Sequence, residues 1–387
     1  MAHVEKRTYE RGGKRSVYWR ARYRDPSGRE RVKNFDRRVD AERFLTTVEA
    51  DKLRGGFVDP ALGRRLFGEL AREWQQSQVH RPSTVAQVDS HLRNHVLPHF
   101  GDRTIASIRP SEIQAWVKDR TAVLAPATVT VVYRYVSSIF RMAVRDGLIM
   151  KTPCVEVRLP KIEKPRVSPM PVGQVEALLD AIDPRYRALL VLGAGAGLRQ
   201  GEAFGLTLPH VDFLRRTLHV EQQLVLLPDR PMFLAPPKTH SSDRRIPVGD
   251  FVLHALARHI QEFPSEKPLR AVTRRDELLI FTNEKGEPLS RTWFSRAVWR
   301  PAVEKAGLPD GPTFHDLRHF YASLLISRGA SVKVIQARLG HKSAVETLDT
   351  YGHLWPDDED LTRQAVDAVL APISERDESD DSSTQLH

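Results

Sequence analysis

The sequence predicts a multidomain, mainly α-helical protein with small β elements, and three observations carry that expectation. At 387 residues the chain is long enough for two or three domains of roughly 150 residues, and 41% hydrophobic content suffices for their cores. Apolar residues recur at helical spacing along most of the chain and at strand spacing in only a few short runs. A stretch rich in proline and lysine at residues 159–171 keeps neither period and reads as an interdomain linker. The expected layout is a small β-sheet plus helix at 1–60 and a helical bundle at 65–158. After the linker come a mixed, mainly helical domain with a small antiparallel sheet at 172–370 and an acidic, disordered tail at 371–387.

Charge narrows the partner. The formal net charge is +10, but residues 356–387 carry 10 acidic and 2 basic residues, so the preceding 355 hold +18. Residues 1–45 alone hold 14 basic and 7 acidic residues. Such a body favours a polyanion over a small acidic substrate. Cys154 is the only cysteine, which excludes an internal disulfide framework and any multi-cysteine zinc site and fits a reducing compartment. The longest apolar run, Ala188 to Leu198, is broken by three glycines and falls short of the roughly 20 residues of a membrane span. The N-terminus shows no apolar signal core, so a soluble cytoplasmic protein with no membrane association is expected.

Residues 16–24, SVYWRARYR, alternate with the strand period, placing Trp19, Ala21 and Tyr23 on one face and Arg20, Arg22 and Arg24 on the other. Asp25-Pro26-Ser27-Gly28 offers a turn, RERVKNF a return strand, and Asp40 a cap for a short helix through Phe44 and Leu45. The three arginines suit a DNA-facing strand, or else a merely solvated hairpin. In the bundle, Ser83 is placed to cap a helix with Val85, Val88, Leu92 and Val96 inward, stopped by Pro98, and Ser111 to cap one with Ile113, Trp116 and Val117 inward. A third helix starts near Thr128 with Val129, Val132, Val136 and Phe140 inward, and its Arg134, Arg141 and Arg145 fall near one line on the opposite surface. That stripe fits a phosphate-tracking ridge or an ordinary wet face. Beyond the linker, helical signals cover Val172 to Leu179 and Arg185 to Leu192, and strand-like runs cover Thr217 to Leu227 and Arg245 to Val248.

Four segments of this last domain carry chemistry. In Gly197-Leu198-Arg199-Gln200-Gly201-Glu202 an arginine follows a buried helix and stands three residues from a carboxylate, a spacing that also suits a local ion pair. Pro236 to Pro247 places Lys238 in a polar turn between strand-like runs. Thr313 can cap a helix on which His315 and Arg318 share a face near the N-terminus, where anions are favoured. In Leu339-Gly340-His341 the glycine stop and the Ser343 cap make His341 a hinge before a helix ending at Tyr351. Taken alone, 331–351 imitates a helix-turn-helix, so a non-enzymatic DNA-binding regulator is one alternative. Zinc on His315, His319 and His341 lacks a matching acidic or cysteine ligand, so no metal is expected.

The series Arg199, Lys238, His315, Arg318, His341 and Tyr351, in this order, resembles the tyrosine recombinase, or phage integrase, family. The resemblance spans nearly the whole chain and rests most on GLRQGE, HDLRH, LGH and TYGHL. His341 and Tyr351 lie ten residues apart, one more than the commonest family spacing. It implies an arm-type DNA-binding module, a helical core-binding domain and a catalytic domain, acting as a homotetramer on double-stranded attachment sites with accessory DNA-bending and directionality proteins. It also implies cleavage through a 3′-phosphotyrosine on Tyr351, which conserves bond energy and needs neither ATP nor a metal cofactor. Arg199 and Arg318 would clamp the phosphate bidentately, and nearby cations would favour the Tyr351 phenolate. His315 would accept a proton or donate to the phosphate, His341 would be a second donor, Lys238 would protonate the leaving 5′ oxygen, and Glu202 would orient Arg199. A type IB topoisomerase shares the nucleophile and the arginines and is the alternative within enzymes.

Overall fold

The computed structural model describes residues 2–11, 14–24, 28–53, 62–163, 166–227, 230–237, 239–269, 277–308, 311–355 and 362–370. They form two compact units, residues 1–163 and 164–387, taken here one at a time.

The first unit opens with an antiparallel sheet of His3–Arg11, Lys14–Arg24 and Glu30–Phe35, with Lys14–Arg24 in the centre. Helix Arg38–Leu53 packs on it, and Ala21, Tyr23, Ala41, Leu45 and Val48 close a small core. Ala21 and Tyr23 point inward as the alternation requires. Strand His3–Arg11 was not expected, because its sequence HVEKRTYER puts charge on both faces, and pairing with the central strand is what orders it. The helix runs well past Leu45, and Asp40 lies in its first turn rather than at its cap. The turn residues Asp25 to Ser27 and the breakers Gly55, Gly56, Asp59 and Pro60 lie outside the described residues.

The helical part comprises Phe67–Ser77, Pro82–His91, Pro110–Thr121 and Pro126–Arg145, with shorter turns between them. Phe67, Leu70, Trp74, Val88, Leu92, Ile113, Trp116, Val132, Val136 and Phe140 form its core. Three helices begin on a proline whose absent N–H would be unpaired there in any case, so Arg81, Arg109 and Ala125 hold the cap positions instead of Ser83, Ser111 and a residue near Thr128. Pro98 does not stop its helix: a π turn at Leu92–Val96 shifts the hydrogen bonding, and Pro98 enters the first turn of Leu97–Phe100. Val85 is exposed, not core.

In the second unit, helix Pro184–Ala196 is apolar on almost every side and lies at the centre, packed against Phe314–Ser327 and Asp250–Glu262. Such all-round hydrophobicity marks a buried helix. Helix Val172–Ala181 packs beside it. The strand-like run Thr217 to Leu227 is two strands in two sheets: Thr217–Val220 pairs between Val211–Asp212 and Arg244–Pro247, whereas Gln223–Val225 pairs with Phe233–Ala235. The polar turn after Pro236 therefore joins two sheets rather than closing a hairpin. A second cluster of Tyr321, Ala322, Ile326, Ile335, Leu339 and Tyr351 holds Val332–Leu339 and Ala344–Tyr351 to helix Phe314–Ser327. Among the described residues no helix is long and apolar enough to cross a membrane.

Two glycines shape the centre of this unit. Gly197 ends Pro184–Ala196 at φ +63° and Gly340 ends Val332–Leu339 at φ +65°, both left-handed caps that a side chain would strain. A Cβ on Gly197 would also stand 2.4 Å from Tyr321 Cδ1, whereas one on Gly329, at φ +76°, meets nothing within 4 Å. Gly329→Ala should thus cost only about 1 to 2 kcal/mol, and Gly197→Ala clearly more. Urea unfolding of the two variants against the parent checks the difference.

Candidate active site

The caps deliver carbonyl groups to arginines. Arg318 sits one turn into helix Phe314–Ser327, 2% exposed, and donates from Nη1 to the Gly197 carbonyl at 2.7 Å and from Nη2 to the Leu339 carbonyl at 2.6 Å. Arg199, at the cap position of the short helix Gln200–Phe204, donates from Nη2 to the Gly340 carbonyl at 3.3 Å and from Nη1 to Glu202 Oε1 at 2.8 Å. Glu202 Oε2 meanwhile accepts the Arg199 backbone N–H at 2.9 Å. This is the local ion pair the spacing allows, and it also aims Arg199.

The sequence reading missed a third arginine. Arg244, on strand Arg244–Pro247 and 7% exposed, donates from Nη2 to Glu202 Oε2 at 2.9 Å, from Nε to the Arg338 carbonyl at 2.7 Å and from Nη1 to the Ser242 carbonyl at 3.0 Å. The only hint in the sequence is the doublet Arg244-Arg245 in a polar run, indistinguishable from a solvated pair. Burial raises the Glu202 carboxyl pKa, but the attraction of Arg244 and Arg199 overcomes it and holds the group below its ordinary range. Two arginines, Arg199 and Arg244, thus share one carboxylate. Burial and then repulsion from Arg199 bring Arg318 down to about 9, which leaves it charged at neutral pH.

Thr313 and Asp316 form the capping box foreseen for helix Phe314–Ser327, with the Thr313 N–H donating to Asp316 Oδ2 at 2.6 Å. His315 and Arg318 nevertheless part company, since His315 is open to solvent and Arg318 is not. A cleft of about 1350 Å³ is lined by Arg199, Glu202, Arg291, His315, Gly340 and Lys342, and its lining does not include Arg318, His341 or Tyr351. His341 is a hinge as expected: Gly340 precedes it, and Ser343 Oγ accepts the Glu346 N–H at 3.3 Å to start helix Ala344–Tyr351. Its Nδ1 shares a 2.8 Å hydrogen bond with Thr347 Oγ1, and its ring stacks on Tyr351 at 6.2 Å with 9° between planes.

Tyr351 is 1% exposed, and its hydroxyl shares a 2.9 Å hydrogen bond with His319 Nδ1. His319 stands between Tyr351 and His315, in edge contact with both rings. The phenol corrects one expectation. Burial pushes its pKa up to about 12, against the pull of Arg318 and Arg199, so in this closed arrangement desolvation outweighs the cations. The histidines shift the other way. His341 is lowered to about 4 by burial and then Arg318, and His315 is lowered too, by partial shielding and then by His319 and Arg318, so both are neutral at pH 7.

Lys238 lies outside the described residues; beside it, Thr239 Oγ1 and Ser242 Oγ are 2.8 Å apart, and Arg199 reaches Ser242 Oγ at 3.4 Å. In the first unit Arg134, Arg141 and Arg145 are exposed along one helix, the last 3.6 Å from Asp146. Arg24 is exposed, but Arg22 pairs with Glu30 at 2.8 Å and Arg20 donates to Tyr18 Oη at 2.9 Å.

Two buried arginines and a half-buried third, with three histidines and a buried tyrosine nearby, make a cationic cluster of a kind suited to phosphate chemistry. The phage integrase family matches residues 169–357, and the phage integrase central domain matches 67–159. The chain is 27% identical over 336 residues to a putative prophage phiRv2 integrase of Mycobacterium tuberculosis, covering 84% of this chain and 86% of that one. It is 25% identical over 336 residues to a tyrosine recombinase XerC-like protein of Caldanaerobacter subterraneus, covering 81% and 84%. Its fold is that of the Tn1549 transposon integrase in complex with a circular intermediate DNA (TM-score 0.67, 23% identity, 79% of this chain and 99% of that one). It also matches a lambda integrase tetramer bound to a Holliday junction (TM-score 0.57, 21% identity, 91% and 95%). The chain belongs to the phage integrase family of tyrosine recombinases. It is a site-specific DNA recombinase, which sets aside both the topoisomerase and the regulator readings.

Without Arg244, Glu202 keeps Arg199 but loses its more buried partner, and the Ser242 and Arg338 carbonyls lose their donor. Arg244→Met should lower stability by about 1 to 3 kcal/mol, read as a drop in urea midpoint at unchanged slope.

Proposed function

We propose that the chain integrates and/or excises a mobile element by cutting and rejoining DNA at attachment sites through a 3′-phosphotyrosine on Tyr351. The observation that carries this reading is the excess of positive charge in the cluster: Arg199, Arg244 and Arg318 around Glu202, with Tyr351 in electrostatic reach of Arg199, Arg318 and Glu346. A phosphodiester brings one negative charge and its five-coordinate transition state two, so an excess of positive charge favours the transition state over the ground state.

Arg199, facing the cleft, and Arg318, beneath it, grip the nonbridging oxygens. Two of the five Arg318 N–H groups are spent on carbonyl groups, which fixes the guanidinium while leaving donors for the phosphate. His315 and His341 serve as phosphate hydrogen-bond donors, Lys238 as the acid for the leaving 5′ oxygen, and Glu202 as the group that orients Arg199. Because Tyr351 is buried, helix Ala344–Tyr351 must shift as DNA fills the cleft, and the hinge at His341 is where it pivots. Residues 1–60 act as an arm-binding module, 65–158 as the core-binding domain, 159–171 as the linker, 172–370 as the catalytic domain and 371–387 as an acidic tail. Arg20, Arg22, Arg24, Arg134, Arg141 and Arg145 are assigned to DNA. Four chains acting on two duplexes in the cytoplasm, with accessory DNA-bending proteins, complete the reading; the lambda integrase tetramer on a Holliday junction supports the stoichiometry.

The test is a nicked duplex spanning the junction of the element with its flanking DNA. Tyr351→Phe should abolish the covalent adduct while leaving DNA binding nearly intact, and Arg199→Ala or Arg318→Ala should slow cleavage at least about a hundredfold. A persisting adduct in Tyr351→Phe removes the nucleophile assignment, and normal single-turnover cleavage by either other variant removes that arginine.

Deleting residues 1–60 should spare cleavage of short core duplexes and weaken binding to long DNA that includes arm sites. Each lost phosphate contact also flattens the plot of log affinity against log salt by roughly 0.9. Titrations at several salt concentrations read both effects; equal affinities and slopes would leave the basic strand a solubility feature.

A further inference from the structure

The nucleophile needs somewhere to put its proton, and its surroundings offer three imidazoles in different geometries. His341 lies parallel to the Tyr351 ring with its Nδ1 occupied by Thr347 Oγ1. An imidazole accepts a proton in its own plane, so a ring stacked on the phenol is badly placed to receive one. His315 faces the cleft and reaches the phenol only across His319. His319 differs from both: its Nδ1 is 2.9 Å from Tyr351 Oη, with the rings edge to face.

We propose that His319 is the proton acceptor for the Tyr351 hydroxyl, and hence a catalytic residue of strand cleavage. This rests on the reading of Tyr351 as nucleophile and replaces His315 in the proton-accepting role. The separation lies within the reach required of a general base, and the proposal requires His319 to stay within that reach as helix Ala344–Tyr351 shifts toward DNA. The ring must also be neutral to accept, and its surroundings see to that. Burial lowers its pKa, Asp316 opposes and Arg318 adds to the lowering. The groups facing it are His315, Asp316 and Arg318 from its own helix and Tyr351 from Ala344–Tyr351. Once the ring is protonated, Asp316 offsets part of the repulsion from Arg318.

The step balances. The Tyr351 O–H proton passes to His319 Nδ1 as the bond from Oη to phosphorus forms and the bond from phosphorus to the 5′ oxygen breaks, the departing oxygen taking a proton from Lys238. In rejoining, the 5′ hydroxyl attacks phosphorus and gives its proton back to Lys238, while the bond from phosphorus to Oη breaks and the His319 imidazolium returns its proton to the departing Tyr351 phenolate. A phenol at about 12 is ionised to roughly one part in 10⁵ at pH 7. A protonated phenol in contact with a neutral imidazole is placed to give up its proton as attack proceeds, which is when such a base is worth most.

Full-length protein and the nicked junction duplex provide the test, with the scissile 5′ position carrying either oxygen or sulfur. A sulfur leaving group needs no acid, so it separates loss of the base from loss of the acid. His319→Gln should slow single-turnover cleavage by about 10² to 10⁴ on both substrates, bind DNA like the parent, and lose the acid limb of the pH profile. That limb arises because the parent loses its base as pH falls through the His319 pKa. Lys238→Ala, by contrast, should recover on the sulfur substrate. Imidazole added to His319→Ala should restore part of the rate, which a purely structural role would not allow. Parent-like or faster cleavage by His319→Gln would overturn the proposal, since the hydrogen bond would then only restrain the hydroxyl. A slowed variant that keeps the acid limb would overturn it too, leaving His319 a positioning residue. Loss of adduct in Tyr351→Phe alongside normal cleavage in His319→Gln would reject this inference and leave the nucleophile untouched.

Discussion

The architecture of the second unit depends on burying two guanidinium groups, Arg244 and Arg318, beside the buried carboxylate of Glu202, with the half-buried Arg199 completing the cluster. Glu202 is shared between Arg199 and Arg244, and the remaining donors of Arg244 and Arg318 go to backbone carbonyls of Ser242, Arg338, Gly197 and Leu339. Unpaired buried charge is costly. The fold offsets the cost with dipoles, mostly from the ends of helices, and leaves net positive charge in place for an anion. A site satisfied by another carboxylate would be more stable and would have no reason to bind phosphate.

That requirement accounts for the two glycine caps. Ending Pro184–Ala196 and Val332–Leu339 in the left-handed conformation turns the last carbonyls sideways, where they meet Arg318 and Arg199. Cap and ligand are the same peptide groups, so the helix ends and the charge cluster stabilise each other. The same economy explains why the tyrosine is hidden. Tyr351 shares a core cluster with Ile335, Leu339 and Tyr321, which anchors the short helix carrying it.

Much of this was legible in the sequence. The helical periods around Val132 and Leu189, the capping box at Thr313 and the glycine stop at Gly340 are local signals, and local physics fulfilled them. Strand His3–Arg11 and the split at Glu221-Gln222 were not legible, because partners distant in sequence decide strand pairing. Pro98, read as a stop, misled for a different reason: prolines open helices as readily as they end them, as Pro82, Pro110 and Pro126 also do. In the site, Arg199, His315, Arg318, His341 and Tyr351 could be picked out by motif order. Arg244 and the His319 contact could not, since what distinguishes them is burial and a contact 32 residues away along the chain.

The central claim is that this charged cluster serves one phosphoryl transfer, onto Tyr351. Trapping the adduct on a nicked junction duplex, digesting protein and DNA, and locating the nucleotide-bearing residue by mass spectrometry tests it most directly. The account predicts the nucleotide on Tyr351 alone. A nucleotide on any other tyrosine, or on a serine or histidine of the cleft, would contradict it.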